Sequence, residues 1–230
     1  GASGPSGWWD VRHAHDGAAE PVPSGILASV ARRDPAWGDP FAALAARVMD
    51  EPLSRCGATR VLSVDGRSGS GKSYFANLLA TAFGGAPVVH MDDLTPGWDG
   101  LETSVEVLLQ NVLLPLSVAT PVRYRTWDWH QGRWSDEPVE LGVPEVLLVE
   151  GCGACARAVE HFATMSFWVE APDEERYRRA VLRDGDAYRL HWDRWAAQEE
   201  AHYAREGTRE RCTHVVDGLR DWSRESSDWP

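Results

Sequence analysis

Residues 66–73 read GRSGSGKS, with an apolar run, RVLSVD (60–65), before them and a helix-forming run, SYFANLLATAF (73–83), after them. No other part of the chain narrows the fold as much. The octet satisfies G-x-x-x-x-G-K-[ST], and its flanks supply the strand and the helix that this pattern requires. Gly66, Gly69 and Gly71 allow backbone angles that turn successive N–H groups inward, toward phosphate oxygens. Lys72 adds a point charge, Ser73 a hydroxyl for Mg²⁺, and the start of the helix a favourable dipole. The stretch Gly66, Arg67, Ser68, Gly69, Ser70, Gly71, Lys72, Ser73 and Tyr74 is therefore expected to hold the phosphates of a nucleotide.

A βα rhythm continues from that point. PVVHM (87–91) reads as a second strand ending in Asp92 and Asp93, EVLLVEG (145–151) as the clearest buried strand, SFWVEAP (166–172) as the next and THVVDG (213–218) as the last. Helices are expected over 72–83, over 101–114 with one apolar face, and over the charged runs 173–184 and 191–207. A further helix, DPFAALAARVMDEP, begins with Asp39 as its cap and Pro40 in its first turn. Short apolar strands alternating with helices imply a parallel sheet covered on both faces. Residues 39–218 are read as one P-loop domain. An extension precedes it (1–38), rich in Gly, Ala, Pro and Ser, of a composition that suits a poorly ordered or vector-derived segment. A tail (219–230) follows. The polar, Pro- and Trp-rich stretch 115–144 breaks the rhythm and is read as an inserted hairpin or loop over the active face.

Composition excludes some classes. The formal charge is 23 − 35 = −12, which argues against nucleic acid as the main partner, since phosphate backbones are bound through surplus Lys and Arg. No apolar stretch approaches the roughly 18 residues of a membrane span and no signal peptide is visible, so a cytoplasmic protein without a membrane partner is expected. Cys152 and Cys155 form a C-x-x-C, but Cys56 and Cys212 stand far apart in sequence, so the pair is read as coincidence rather than a zinc or redox motif. Twelve tryptophans are many for 230 residues. Those in polar company suit a buried core and a ligand wall equally well.

Among P-loop proteins, a GTPase needs an N/TKxD motif, which the chain lacks, and an energy-coupling ATPase usually needs a longer one. A small-molecule kinase needs a carboxylate for the acceptor's proton, a Mg²⁺ network and closing arginines. Each has candidates. VDGRSGSGKS, VVHMDDLTPGWDG, RYRTWDW, VLLVEG and RYRRAVLRDG, in that order, resemble the uridine kinase-like family of P-loop kinases over roughly residues 58–218. The resemblance implies a five-stranded parallel sheet with helices on both faces, an Arg-rich helical lid (176–207), and ATP–Mg²⁺ phosphorylation of a hydroxyl, typically on a nucleoside. It assigns Asp92 as the acid that takes or orients the acceptor's proton, Lys72, Arg179 and Arg183 to the phosphates, and Glu150 with Ser73 to Mg²⁺. Trp127, Asp128 and Trp129 match the family's aromatic–Asp–aromatic motif at the acceptor, and Asp93, Trp98, Arg125, Arg133 and Arg189 complete the expected acceptor surroundings. The chain departs from the pattern where MDDLTPGWDG replaces a "DSFY"-like run and where HQGRW follows WDW. These departures leave open which hydroxyl-bearing molecule, an antibiotic included, is the acceptor.

Blander readings apply to the same residues. Asp92 and Asp93 also suit a strand end and a turn, and the arginines of 176–183 a solvated helix face. His191, His202 and His214 read as structural. A rival from another class, a regulator or assembly factor that hydrolyses ATP slowly, needs the P-loop and Glu150 but not Asp92 beside an aromatic acceptor wall.

Overall fold

The computed structural model describes residues 40–50 and 54–222. The expected extension, its neighbour Asp39 and residues 223–230 of the expected tail lie outside the described residues.

Five parallel strands form the central sheet: β1 (Arg60–Asp65), β2 (Val88–His90), β7 (Val146–Glu150), β8 (Ala163–Glu170) and β9 (His214–Asp217), in the order β2-β7-β1-β8-β9. β1 and β7 lie at its centre, and all five residues of β7 are buried. That burial explains why their sequences read as unbroken apolar runs. Alternation along each strand divides the core in two. Leu62, Val64 and Leu148 face α1 (Pro40–Asp50) and α2 (Lys72–Ala82), and pack with Leu44, Phe75 and Leu79. Val61, Leu147 and Val149 face the other way, onto Val105, Leu108, Val112 and Leu116. These four belong to one continuous helical run, α3 (Leu101–Leu108), a π turn (Leu109–Leu113) and α4 (Leu114–Ser117). The run carries on past the expected end at 114.

The stretch 118–144 forms two small antiparallel ladders, β3 (Val122–Tyr124) with β6 (Val139–Leu141), and β4 (Trp127–Asp128) with β5 (Arg133–Trp134). After the short α5 (Arg157–Glu160) and β8, the charged runs form α6 (Asp173–Arg189), kinked at Gly185, α7 (Trp192–Glu206) and the short α8 (Thr208–Arg211). α6 and α7 close a third apolar cluster of Leu101, Cys152, Ala180, Tyr188 and Trp195. No helix of the described residues is long and apolar enough to cross a membrane.

Behind the phosphate loop, Phe75 meets Phe41, Phe167 and Trp222 at centroid distances of 5.7, 5.3 and 5.8 Å. This aromatic nucleus holds α2, and with it Lys72, against the sheet. Phe75→Ala leaves a cavity that the surrounding rings cannot close, and is expected to cost about 3–5 kcal/mol in urea denaturation.

Candidate active site

The loop between β1 and α2 has the backbone that the glycines foretold. Gly69 has φ 78°, and a Cβ there would stand 2.2 Å from the Arg176 carbonyl oxygen. Gly71 caps α2 with φ 99° and no side-chain hydrogen bond, so the first N–H groups of the helix face the loop. Lys72 is buried at the start of α2. Burial opposes its charge, yet Glu150, Asp92 and Glu199 hold the ammonium above the usual lysine range.

Sheet register builds the acidic partner. His90 on β2 stands directly opposite Glu150 on β7, and its Nδ1 lies 2.6 Å from Glu150 Oε1. The Ser73 hydroxyl donates to the same carboxylate at 3.1 and 3.2 Å. Burial works against the charge of Glu150, but the His90 hydrogen bond and the charges of His90 and Lys72 prevail and its carboxyl is held below the usual range. Burial likewise works against protonation of His90, and Glu150, Asp93 and Asp92 together raise it.

Asp92 lies in a single-turn helix (Met91–Leu94) that directly follows β2. It lines a small cavity with Ser68, Lys72, Ser73, Trp98, Trp129, Arg183, Tyr188 and Trp195. The Trp129 indole donates to the Asp92 carbonyl at 3.0 Å, which pins the hairpin onto this turn. Trp98 meets Trp129 edge-on at 5.2 Å and stacks on His191 at 4.3 Å. The Trp98 loop is tied to α7 by the Arg194–Asp99 ion pair and by Gln198, whose amide donates to the Trp98 carbonyl.

No protein-family model and no curated protein matches the sequence. Solved structures do. A possible uridine kinase from Bacillus stearothermophilus superposes with a TM-score of 0.56 at 19% identity, covering 77% of this chain and 97% of that one. A protein assigned as a fructose transport system kinase from Silicibacter sp. TM1040 gives 0.54 at 22% identity, covering 77% and 99%. The fold is that of the uridine kinase-like P-loop kinases. At such identities the likeness is one of fold, and the chemistry has to be argued from the side chains.

Within this uridine kinase-like fold, several residues singled out in the sequence stand outside the cavity. Asp128 turns its carboxylate onto the N–H groups of His130 and Gln131 and so caps its own hairpin. Trp127 packs edge-on against Trp134. Arg133 pairs with Asp136, and Arg125 lines a separate outer groove with Arg123, Tyr124 and Trp134. Asp93 lies near Tyr124, whose hydroxyl is pushed up to about 12 by burial and by that carboxylate. Arg179 bonds the Gly218 carbonyl at 2.9 Å on the far side of the loop, and Arg189 is exposed at the end of α6. Tyr74 donates to Asp221, and Arg67 pairs with Glu200. The Ser70 hydroxyl is buried beneath the loop.

Sequence reasoning missed His90, Tyr188 and Glu199. Only Glu199 left a legible trace. Residues 195, 199, 202 and 203 share one helical face, and Trp and Tyr at its ends mark that face as buried. A Glu there needs a polar partner inside.

The His90–Glu150 pair makes stability depend on pH in a defined way. The raised His90 contributes in full below the ordinary histidine range, and its share is lost as pH climbs through the raised value. The lowered Glu150 contributes above the ordinary carboxylate range, and its share is lost as pH falls through the lowered value. His90→Gln is therefore expected to abolish the alkaline decline attributable to this pair, read as urea midpoints between about pH 5 and pH 9.

Proposed function

We propose that the protein is an ATP-dependent small-molecule kinase that transfers a γ-phosphoryl group to a hydroxyl of a nucleoside or nucleoside-like metabolite. The observation that carries this reading is the shared cavity: Asp92, Lys72, Ser73 and Arg183 face one space walled by Trp98 and Trp129. A regulator that only hydrolyses ATP has no need of an aromatic wall beside a carboxylate.

The acceptor oxygen attacks the γ-phosphorus, the bond to the ADP oxygen breaks, and the acceptor's proton passes to Asp92. Lys72 and Arg183 bring positive charge to the equatorial oxygens as charge develops on them. The Arg183 guanidinium is oriented by its two bonds to Asp184, a residue buried at the end of the same helical turn. Arg179, bonded across to Gly218, is assigned to holding β9 against the cradle. The donor set around Ser73 suits Mg²⁺, which favours hard oxygens and is held by one or two carboxylates together with substrate phosphates. Ser73 and Glu150 would hold it, and bound there it would neutralise phosphate charge. Ring stacking on Trp98 and Trp129 suits a flat or sugar-like acceptor.

The test is Asp92→Asn, which keeps the shape and loses the proton acceptor. Its affinity for Mg-ATP by calorimetry should stay close to that of the parent, while acceptor-dependent ADP formation falls at least ~100-fold with an acceptor found in a panel of hydroxyl-bearing metabolites. Transfer at the parental rate would reduce Asp92 to a turn residue. If no metabolite stimulates ADP formation by the parent, the regulator reading takes its place. Lys72→Ala should lose transfer by orders of magnitude with the fold retained.

A further inference from the structure

α7 runs along the first half of the phosphate loop and grips it residue by residue. The Tyr203 hydroxyl donates to Asp65 at 2.7 Å and lies 3.2 Å from the Gly66 carbonyl, and Arg67 lies over the Tyr203 ring. The grip is tightest at Ser68. Its N–H donates to Glu199 Oε1 at 2.7 Å, its carbonyl accepts from Arg176 Nη1 at 3.1 Å, and its hydroxyl accepts from Trp195 Nε1 at 2.9 Å. Trp195 Nε1 and the Cys152 thiol also reach the same Glu199 oxygen, at 2.9 and 3.1 Å, and Arg176 lies 4.0 Å from the other. Glu199 is 1% exposed.

A buried ion pair of this kind adds little net stability, because desolvation consumes most of the attraction. Its weight lies in geometry. Both backbone groups of Ser68 are satisfied by α6 and α7, so each of the two peptide planes that meet at this residue is held and neither turns freely to follow a phosphate. Ser68 and Trp195 border the same cavity as Asp92, Lys72 and Ser73, while Gly69 and Gly71 lie further along the loop.

We propose that Glu199 is a positioning residue for phosphoryl transfer. Through Ser68 it fixes an edge of the cradle that borders the cavity shared with Asp92, and this makes α7 a stationary wall of the site instead of a moving cover. The proposal rests on the kinase reading of the same cavity. It differs from the expectation that the whole of 176–207 acts as a lid, and confines closure to the segment around the Gly185 kink that carries Arg183.

Three variants test it: Glu199→Ala, which removes the acceptor; Glu199→Gln, which keeps an oxygen and the side-chain shape but loses the charge facing Arg176; and Trp195→Phe, alone and combined with each of them, which removes the indole donor together with part of a buried ring. The readouts are calorimetric affinities for Mg-ADP and for a non-hydrolysable Mg-ATP analogue, the thermal midpoint, and acceptor-dependent turnover. Glu199→Ala should weaken the analogue and lower turnover at least about tenfold while ADP affinity stays within about threefold, because Ser68 borders the space shared with Asp92 and Arg183, where the transferred phosphoryl would lie. Glu199→Gln should show the same pattern in smaller measure, and it carries the test if the alanine variant does not fold. Trp195→Phe should add less than its full single effect to either Glu199 variant, since both act through Ser68. Equal weakening of ADP and analogue, unchanged affinities, or full additivity would overturn the proposal. The ratio of the two affinities needs no acceptor, so a parent that no acceptor stimulates defeats the kinase reading and still leaves the role of Glu199 measured.

Discussion

The carboxylate of Asp65 is the point on which the rest of the site hangs. It sits fully buried at the carboxyl end of the central strand and accepts four hydrogen bonds, from the N–H groups of Gly66, Gly153 and Cys155 and from the Tyr203 hydroxyl. A buried carboxylate must be satisfied or it unfolds its surroundings. Burial pushes its carboxyl upward, and the bonds from Cys155, Tyr203 and Gly66 pull against that. Satisfying one side chain thus draws together the phosphate loop, the loop after β7 and helix α7, three segments far apart in sequence.

That junction explains the two cysteines. Cys152 and Cys155 lie in the loop gathered by Asp65, both as buried free thiols, and burial raises both well above the usual cysteine range. Cys152 is a donor toward Gly66 and Glu199, and the Cys155 N–H is a donor to Asp65. Their spacing serves the turn that carries the chain from β7 past the phosphate loop. Among the described residues no group of three or more His, Cys, Asp or Glu side chains is arranged to hold a metal ion.

Charge is distributed around the cavity with a purpose that the net charge of −12 hides. Glu150, Asp92 and Glu199 surround Lys72, and His90, Arg176 and Arg183 stand beside those acids. At a separation of about 4 Å near a protein surface each such pair is worth a few kcal/mol before desolvation. The basic groups are therefore held in place beside these acids without help from a ligand. That is the kind of preorganised field that phosphoryl transfer rewards.

The sequence by itself determined the strands, the phosphate loop and the helix behind it. Each is written in local terms: apolar runs of strand length, glycines where the backbone turns positive, and a lysine at the start of a helix. The positions of Glu150 at the end of β7 and of Asp92 just past β2 were legible too, because an acid that closes an apolar run is a local signature. Whether Asp128, Trp127 and Arg133 reach the cavity could not be read locally, since the answer depends on how a hairpin of two short ladders lies over the sheet. There Asp128 is drawn to the N–H groups two and three residues ahead. Only the tertiary structure decided which arginine of α6 faces Asp92. Arg176, Arg179 and Arg183 share a helical face at spacings of three and four, yet their long side chains part toward Ser68, Gly218 and the cavity. The same holds for His90 beside Glu150 and Glu199 beneath Ser68, pairs separated by 60 and 131 positions. Contacts at that distance in sequence are set by strand register and helix docking, and no local pattern of residues encodes them.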